Sequence, residues 1–578
     1  MRIELELQEK IKTDHLSGLA SRRLLLLKET IREVTIRMAD EQQINVAVEL
    51  EDKIGWAMTF VRAAEKINLR TMQKCARAFP ELADICDPTN PNLRTTAEIN
   101  RIRDRKVSLS RDAINAELAD LRTDGDPADL LARTRKKENI LTKLRRLIPG
   151  GEGGIHAMMD KTGQITTDPS EIAQILSEHW ATVFTKKPIN EELLNKWLQE
   201  EYGGENSTGL PPAHKWKIKR RHISKAIRCS KNSAPGPDGI PYRIWRALGD
   251  LGVTILYEAT QELHQQGANN LLLLAYSGKG EAGCHNFNEG LLCCLPKKPT
   301  GAHEQYGEYY SPGDTRPLAI VNTDNRIIAS AGRIAWEPLL NGWVSKMQRG
   351  FLKGRSMLMN VLEIDEKTMT VSLCKRLGGL VLFDFKAAFP SISHLFLIRS
   401  LEHLGLPAGA INMIKALYDQ VKCALRYKGA TYDSFAVCSG IRQGCPLSPL
   451  LFAVTVDILL RRLQRLFPDA FLRAFADDIG AIFPDLPRDA ELLMQNFHSF
   501  EEISGLALNL AKTIAIPLWL DPLQDIKEKL AEKHSAWKLV CFARKGTYLG
   551  FATGPENGDT SWGKPEDKFL KRAQLWGQ

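Results

Sequence analysis

No part of this chain is apolar over the ~20 residues that span a bilayer. The longest apolar runs are Leu24–Leu27, Leu271–Ala275 and Leu450–Val456, so no membrane contact is expected. The N-terminus, MRIELELQEKIK, is charged from its second residue. It has no apolar core of the kind a secretory signal needs. Cysteine is sparse, 11 in 578 residues, and none falls in a CxxC pattern; Cys293 and Cys294 are merely adjacent. That excludes a disulfide scaffold and a zinc knuckle, and makes a reducing, intracellular setting the expectation. No repeat of fixed period is visible.

Hydrophobic residues make up 43% and charged residues 25%, which excludes a wholly disordered chain. Lys and Arg (78) outnumber Asp and Glu (69), giving a net charge of +9. A modest basic excess favours an acidic partner such as nucleic acid without demonstrating one.

Residues 1–148 read as helical, with Leu24–Leu27, Ile31, Val34, Ile36 and Met38 at mixed spacings of three and four. Asp87-Pro-Thr-Asn-Pro91 is a break. A basic stretch runs through Arg133, Arg135, Lys136, Lys137, Lys143, Arg145 and Arg146. It suits either a solvated helix face or a nucleic-acid contact. Pro149–Gly154 is glycine-rich and marks a boundary, after which residues 149–220 form a linker and an extension. Within it Asp168-Pro169 resembles a helix start, with Ile172, Ile175, Leu176, Trp180 and Phe184 on one face.

Residues 215–231 carry Lys215, Lys217, Lys219, Arg220, Arg221, Lys225, Arg228 and Lys231, with Trp216 interleaved and no acid between them. Cations beside an aromatic suit phosphate contact plus base stacking. Lys217, Lys219, Arg220 and Arg221 are the candidate nucleic-acid contacts. From about residue 290 short apolar strands alternate with helices, so the fold class is α+β.

Two places concentrate acid at strand ends. Gly379–Phe383 is a short apolar run followed by Asp384, and reads as a β-strand buried on both faces. Leu472–Phe483 holds two apolar halves around Asp477-Asp478, and reads as a hairpin with both acids at its tip. Asp is common in turns for unrelated reasons. Acids from two strand ends in one domain would nevertheless line an oxygen-rich site for a hard cation such as Mg²⁺. Such a site suits two-metal phosphoryl transfer.

Eight segments in order resemble the reverse transcriptase of non-LTR (LINE-type) retroelements. They are Ser233–Pro241 (SAPGPDGIP), Arg316–Asn322 (RPLAIVN), Gln348–Arg355 (QRGFLKGR), Phe383–Phe389 (FDFKAAF), Gly440–Pro449 (GIRQGCPLSP), Phe475–Asp478 (FADD), Gly505–Lys512 (GLALNLAK) and Tyr548–Gly550 (YLG). The resemblance covers about residues 220–552. It implies a right-hand polymerase of fingers, palm and partial thumb, preceded by a mostly α-helical N-terminal region. Fingers and palm would occupy 221–552, and 553–578 would begin a truncated thumb.

The resemblance also implies RNA-directed DNA synthesis from a primer 3′-OH, with RNA template, DNA primer or target and dNTPs as partners. Asp384, Asp477 and Asp478 would hold two Mg²⁺ ions, with Mn²⁺ as substitute. Lys512 would assist the leaving pyrophosphate. Phe389 would exclude the ribose 2′-OH. Gln443 and Gly444 would seat the templating base and incoming nucleotide, while Arg316 and Lys298 would contact the triphosphate. Ser448-Pro449 resembles an N-cap with Pro at N1 of a helix running to Leu466.

Pro390 stands where relatives often carry Asp, and Arg-Pro-Leu-Ala replaces Arg-Pro-Ile-Ser. Residues 265–290 read as a loop-rich insertion. No segment resembles the family's endonuclease. Nuclear action follows from the family alone. The alternatives are a retroelement remnant that binds nucleic acid without turnover, and a group II maturase-like reverse transcriptase.

Overall fold

The computed structural model describes residues 2–42, 154–203, 209–276, 286–304 and 306–556, and seven scattered residues beyond. The Asp87–Pro91 break, the Arg133–Arg146 basic stretch and most of 553–578 lie outside the described residues. Two compact units are present, Met1–Val34 with Ile155–Gln578, and Thr35–Gly154.

Helices Arg2–Thr13 and Ala20–Gln42 open the chain. Leu24, Leu25, Leu26 and Leu27 are all buried. Four consecutive apolar residues reach every side of a helix, so this turn is enclosed rather than laid on a surface. Leu24, Leu26, Leu27 and Ile31 share one core with Trp216, Trp245 and Trp336. The helix Pro169–Val183 starts as its sequence suggests. The Asp168 carboxylate accepts the Ser170 and Glu171 N–H groups at 2.8 and 3.0 Å, and Ile172, Leu176 and Trp180 are buried.

The expected loop insertion at 265–290 is corrected in part. Ala268–Tyr276 is a helix, its Ala268, Leu272 and Ala275 buried. The Asn269-Asn270 pair suggested a turn, but burial of Ala268, Leu272 and Ala275 outweighs its weak helix propensity.

Four sheets are formed among the described residues. One has the order β2-β1-β5-β4, from Ala157–Met159 (β1), Ile165–Thr166 (β2), Gly301–His303 (β4) and Gly307–Tyr310 (β5). A second has the order β6-β3-β8-β9, from Glu289–Pro296 (β3), Thr315–Val321 (β6), Lys422–Tyr427 (β8) and Ala430–Ala436 (β9). The third, central sheet has the order β10-β11-β7-β12-β13. Its strands are Gly379–Phe383 (β7), Phe471–Phe475 (β10), Asp478–Phe483 (β11), Ile514–Pro517 (β12) and Cys541–Phe542 (β13). Gly546–Tyr548 (β14) and Phe551–Thr553 (β15) form a separate hairpin.

β7 shows why this sheet forms. All five of its residues are buried. Val381 and Phe383 join the main core, where Phe383 meets Phe497 with ring centroids 4.5 Å apart. Leu380 and Leu382 join a second core with Ile364 and Val371. That split is the two-residue alternation of a strand covered by helices on both faces. No helix among the described residues is long and apolar enough to cross a membrane.

Candidate active site

The central sheet brings the three acids together. β11 pairs antiparallel with β7, Ile479 opposite Phe383, and with β10, Phe475 opposite Asp478. Asp384 leaves the end of β7 just where β11 begins. Between Phe475 and Asp478 only Ala476 and Asp477 remain, so the hairpin turn is two residues long.

Ala476 takes the left-handed conformation, φ 60°, which is costly for a residue with a Cβ. Gln348 holds it there. The Gln348 Oε1 accepts the N–H groups of Ala476 and Gly350, both at 2.8 Å, and its Nε2 donates to the Ala476 carbonyl at 3.0 Å. Gln348 is fully buried. Gly350 lies against the Ala476 backbone so closely that a Cβ there would collide with the Ala476 nitrogen. Sequence reasoning missed Gln348 as a functional residue. It lies within the matched Gln348–Arg355 segment, but an uncharged amide carries no chemical signal of its own.

Asp384 is tied to the neighbouring loop. The Asn509 N–H donates to the Asp384 carbonyl at 2.7 Å. Burial pushes the Asp384 carboxyl up, opposed by Lys512, a hydrogen bond from the Asn509 side chain, and Lys297. Burial also raises Asp477, as does Asp384; Arg316 and Lys297 oppose. Asp478 is pushed up to about 6, first by burial, then by Asp477 and Asp384. These are three mutually repelling carboxylates in a half-desolvated cleft.

The cations around them are Lys512, Arg316 and Lys297. Lys297, the residue before Lys298, is the lysine of this pair that acts on both Asp384 and Asp477. Its Nζ donates to the Gly313 carbonyl at 3.0 Å. Burial lowers its own pKa, and Lys512 and Arg316 add to that. Successive side chains at a strand end point opposite ways, so a one-residue difference changes the face.

Phe389 is half-buried in the short helix Ala388–Ser391. Its ring stacks on Phe452 with centroids 4.3 Å apart and planes within 7°, and meets Phe351 edge-on at 5.9 Å. Gln443 and Gly444 sit in a loop laid on β6. The Ala319 N–H donates to the Gln443 carbonyl at 2.8 Å. Gly444 has φ 110°, and a Cβ there would stand 2.6 Å from the Ala319 oxygen, so only glycine fits. The following helix spans Ser448–Leu466, but Ser448 is not its side-chain cap. Leu447 holds the cap position, and the Ser448 hydroxyl bonds that of Tyr418 at 3.1 Å.

The basic stretch is partly redirected. Lys217, Lys219 and Arg221 are exposed, whereas Arg220 is paired with Asp250. Trp216 cannot stack on a base. It is buried, its Nε1 donates to the Pro211 carbonyl at 2.9 Å, and its own carbonyl accepts the Trp336 indole N–H at 2.8 Å.

Among the described residues no group of three or more Asp, Glu, His or Cys side chains is arranged to hold a metal ion.

Residues 295–552 match the family described as reverse transcriptase (RNA-dependent DNA polymerase). The chain is 24% identical over 363 residues to the retrovirus-related Pol polyprotein of the type-2 element R2DM of Drosophila melanogaster, covering 61% of this chain and 30% of that protein. It is 24% identical over 388 residues to the transposon TX1 149 kDa protein of Xenopus laevis, covering 63% and 27%. It is also 24% identical over 434 residues to the Pol polyprotein of the type-1 element R2 of Bradysia coprophila, covering 70% and 46%. The chain thus spans less than half the length of each of these relatives.

Proposed function

We propose that residues 295–552 are a reverse transcriptase domain of the non-LTR retrotransposon class, and that the chain is an RNA-directed DNA polymerase extending a DNA primer 3′-OH with dNTPs on an RNA template. The observation that carries this is the meeting of Asp384, Asp477 and Asp478 at adjoining strand ends, faced by Lys512, Arg316 and Lys297.

The carboxylates fit divalent cations. Burial raises all three acids, repulsion from Asp384 adds to it at Asp477 and repulsion from Asp477 and Asp384 at Asp478, and a cation would relieve that repulsion. Asp384 and Asp477 would hold two Mg²⁺, or Mn²⁺, and Asp478 would complete the negative field. Held there, two such ions would supply acidification of the primer hydroxyl and neutralisation of the triphosphate charge.

The remaining roles fall to the chain's own side chains. Lys512 donates a proton or charge to the departing pyrophosphate. Arg316 and Lys297 hold phosphate oxygens, the guanidinium bidentately. Phe389, fixed by Phe452, walls off the 2′ position. The Gln443–Gly444 loop seats the base pair, and Gly444 lets the backbone approach β6. Lys217, Lys219 and Arg221 contact nucleic-acid phosphates.

In this reading the β6-β3-β8-β9 sheet and helices 220–276 belong to the fingers. The central sheet is the palm, and residues from 553 begin the thumb. Action on nuclear DNA goes with this assignment. The test is extension of a DNA primer annealed to a defined RNA, with Mg²⁺ and with EDTA. Metal-dependent, template-matched incorporation is the expected result. RNA binding without incorporation would favour a non-catalytic remnant.

A further inference from the structure

The helix Ala20–Gln42 does more than fill the core. Lys28, 5% exposed in its side chain, places its Nζ 2.9 Å from Asp238 and 3.0 Å from Asp324, whose side chains are 7% and 0% exposed. The two acids come from separate segments. Asp238 belongs to the Ser233–Pro241 loop, and Asp324 to the first turn of the helix Thr323–Leu340. Isolated buried carboxylates would repel one another, and a shared ammonium offsets both charges, hydrogen-bonding Asp324 Oδ2 and ion-pairing with Asp238. Burial works against the Lys28 charge, but Asp324, Tyr276 and Asp238 outweigh it, and its pKa lies well above the usual value.

The loop and the helix start are joined at further points. The Asp238 N–H donates to the Asn322 Oδ1 at 3.1 Å, and its Oδ1 accepts the Ile240 N–H at 3.0 Å. The Thr323 hydroxyl donates to the Ile240 carbonyl at 2.7 Å. Arg326 donates to the Ser233 hydroxyl at 3.0 Å and the Ala234 carbonyl at 2.6 Å. A Cβ on Gly236 would stand 2.5 Å from the Asn322 nitrogen, so the backbones touch. Asn322 follows directly on β6, the strand that starts with Thr315-Arg316 and receives the Gln443 carbonyl at Ala319.

We propose that Lys28 is a positioning residue for nucleotide binding: by bridging Asp238 and Asp324 it fixes the C-terminal end of β6, and through β6 the placement of Arg316 and of the Gln443–Gly444 loop. The N-terminal helix is thereby part of the nucleotide site's frame. This rests on the polymerase reading above.

The test is steady-state dNTP incorporation by the full chain and by Lys28→Met, Asp238→Asn and the double variant, each checked by thermal unfolding. Lys28→Met should raise the KM for dNTP about tenfold and leave kcat within about threefold, because the bridge sets substrate contacts and not the acids themselves. Primer–template affinity should not move. Asp238→Asn keeps the Lys28–Asp324 pair and should raise KM less. The double variant should be no worse than Lys28→Met, because both changes break one bridge.

Unchanged KM in folded Lys28→Met, or fully additive single effects, would overturn the proposal. If Lys28→Met does not fold, Asp238→Asn alone decides by its KM. If neither folds, the bridge is structural only and the proposal fails. Absence of incorporation by the unaltered chain would instead count against the polymerase reading.

Discussion

Gln348 grips the backbone of Ala476 at both its N–H and its carbonyl, at 2.8 and 3.0 Å, and so sets the turn that presents Asp477. A left-handed alanine next to Asp477, the proposed metal ligand, is held in place by a fully buried amide that satisfies it on both sides.

Gln348→Ala should therefore act on chemistry as well as on stability. Losing these bonds leaves buried backbone groups unpaired, at about 1–3 kcal/mol each. Single-turnover incorporation should fall by about a hundredfold as Asp477 drifts, while primer–template affinity is retained. Stopped incorporation assays beside thermal melting would separate the two effects. An unchanged turnover rate in a folded variant would remove Gln348 from the site.

Asp478 gives a pH dependence. Its carboxyl lies at about 6 in the fold, raised by burial, Asp477 and Asp384. A raised folded pKa means that the native state binds the proton more tightly than the unfolded chain. Without divalent cation, stability should rise as pH falls from 7.5 through about 6. Asp478→Asn should raise the melting temperature at pH 7.5, with the gain shrinking at acid pH. Incorporation should move the opposite way, falling as pH drops through about 6, with a midpoint that shifts lower as Mg²⁺ is increased, because metal and proton compete. A midpoint indifferent to Mg²⁺ would contradict the shared carboxylate edge.

Phe389 combines packing and selection. Phe389→Val loses the stacking on Phe452 and should cost about 1–3 kcal/mol of stability. Its ribonucleotide use should rise relative to deoxynucleotide by at least about tenfold, since the steric wall recedes. Competition between dNTP and NTP on one template measures the ratio. A ratio that stays put, with the stability loss present, would return Phe389 to a packing role.

Gly444→Ala puts a Cβ at φ 110° and 2.6 Å from the Ala319 oxygen. The strain is of order 1–3 kcal/mol, and the loop must shift off β6. KM for dNTP should rise several-fold. Gly429→Ala is the control, also at positive φ (87°) but with open space around it. It should cost some stability and leave KM alone.

The basic stretch should act unevenly. Neutralising Lys217, Lys219 and Arg221 together should lower RNA affinity and flatten its salt dependence, by a slope change of up to about 3. Arg220→Ala, by contrast, releases Asp250 and should mainly affect the local helix contact. Filter binding across a salt series distinguishes them, and an unmoved slope for the triple variant would leave these residues as a solvated face.

What could be read from the sequence follows physical lines. The strand Gly379–Phe383 and the acid-tipped hairpin were legible because short apolar runs bounded by turn residues read as strands, and the order of the surrounding motifs set their acids apart from ordinary turn aspartates. The enclosed Leu24–Leu27 turn and the Asp168 cap were legible from spacing and capping chemistry. Trp216 was misjudged because its cationic neighbours mask a side chain that packs inward with Trp336. The effect of Lys297 on Asp384 and Asp477 was not legible, because composition does not show which lysine after β3 turns toward the acids. Gln348 and the Lys28 bridge were invisible because each depends on partners more than a hundred residues away.

The most direct measurement of the central claim is dNTP incorporation on poly(rA)/oligo(dT) with Mg²⁺ by the chain and by Asp477→Ala, with both shown to be folded and to bind RNA. Incorporation by the unaltered chain, falling at least about a thousandfold in the variant, is the expected result. Equal incorporation by both would contradict the placement of catalysis on the Asp384, Asp477 and Asp478 edge.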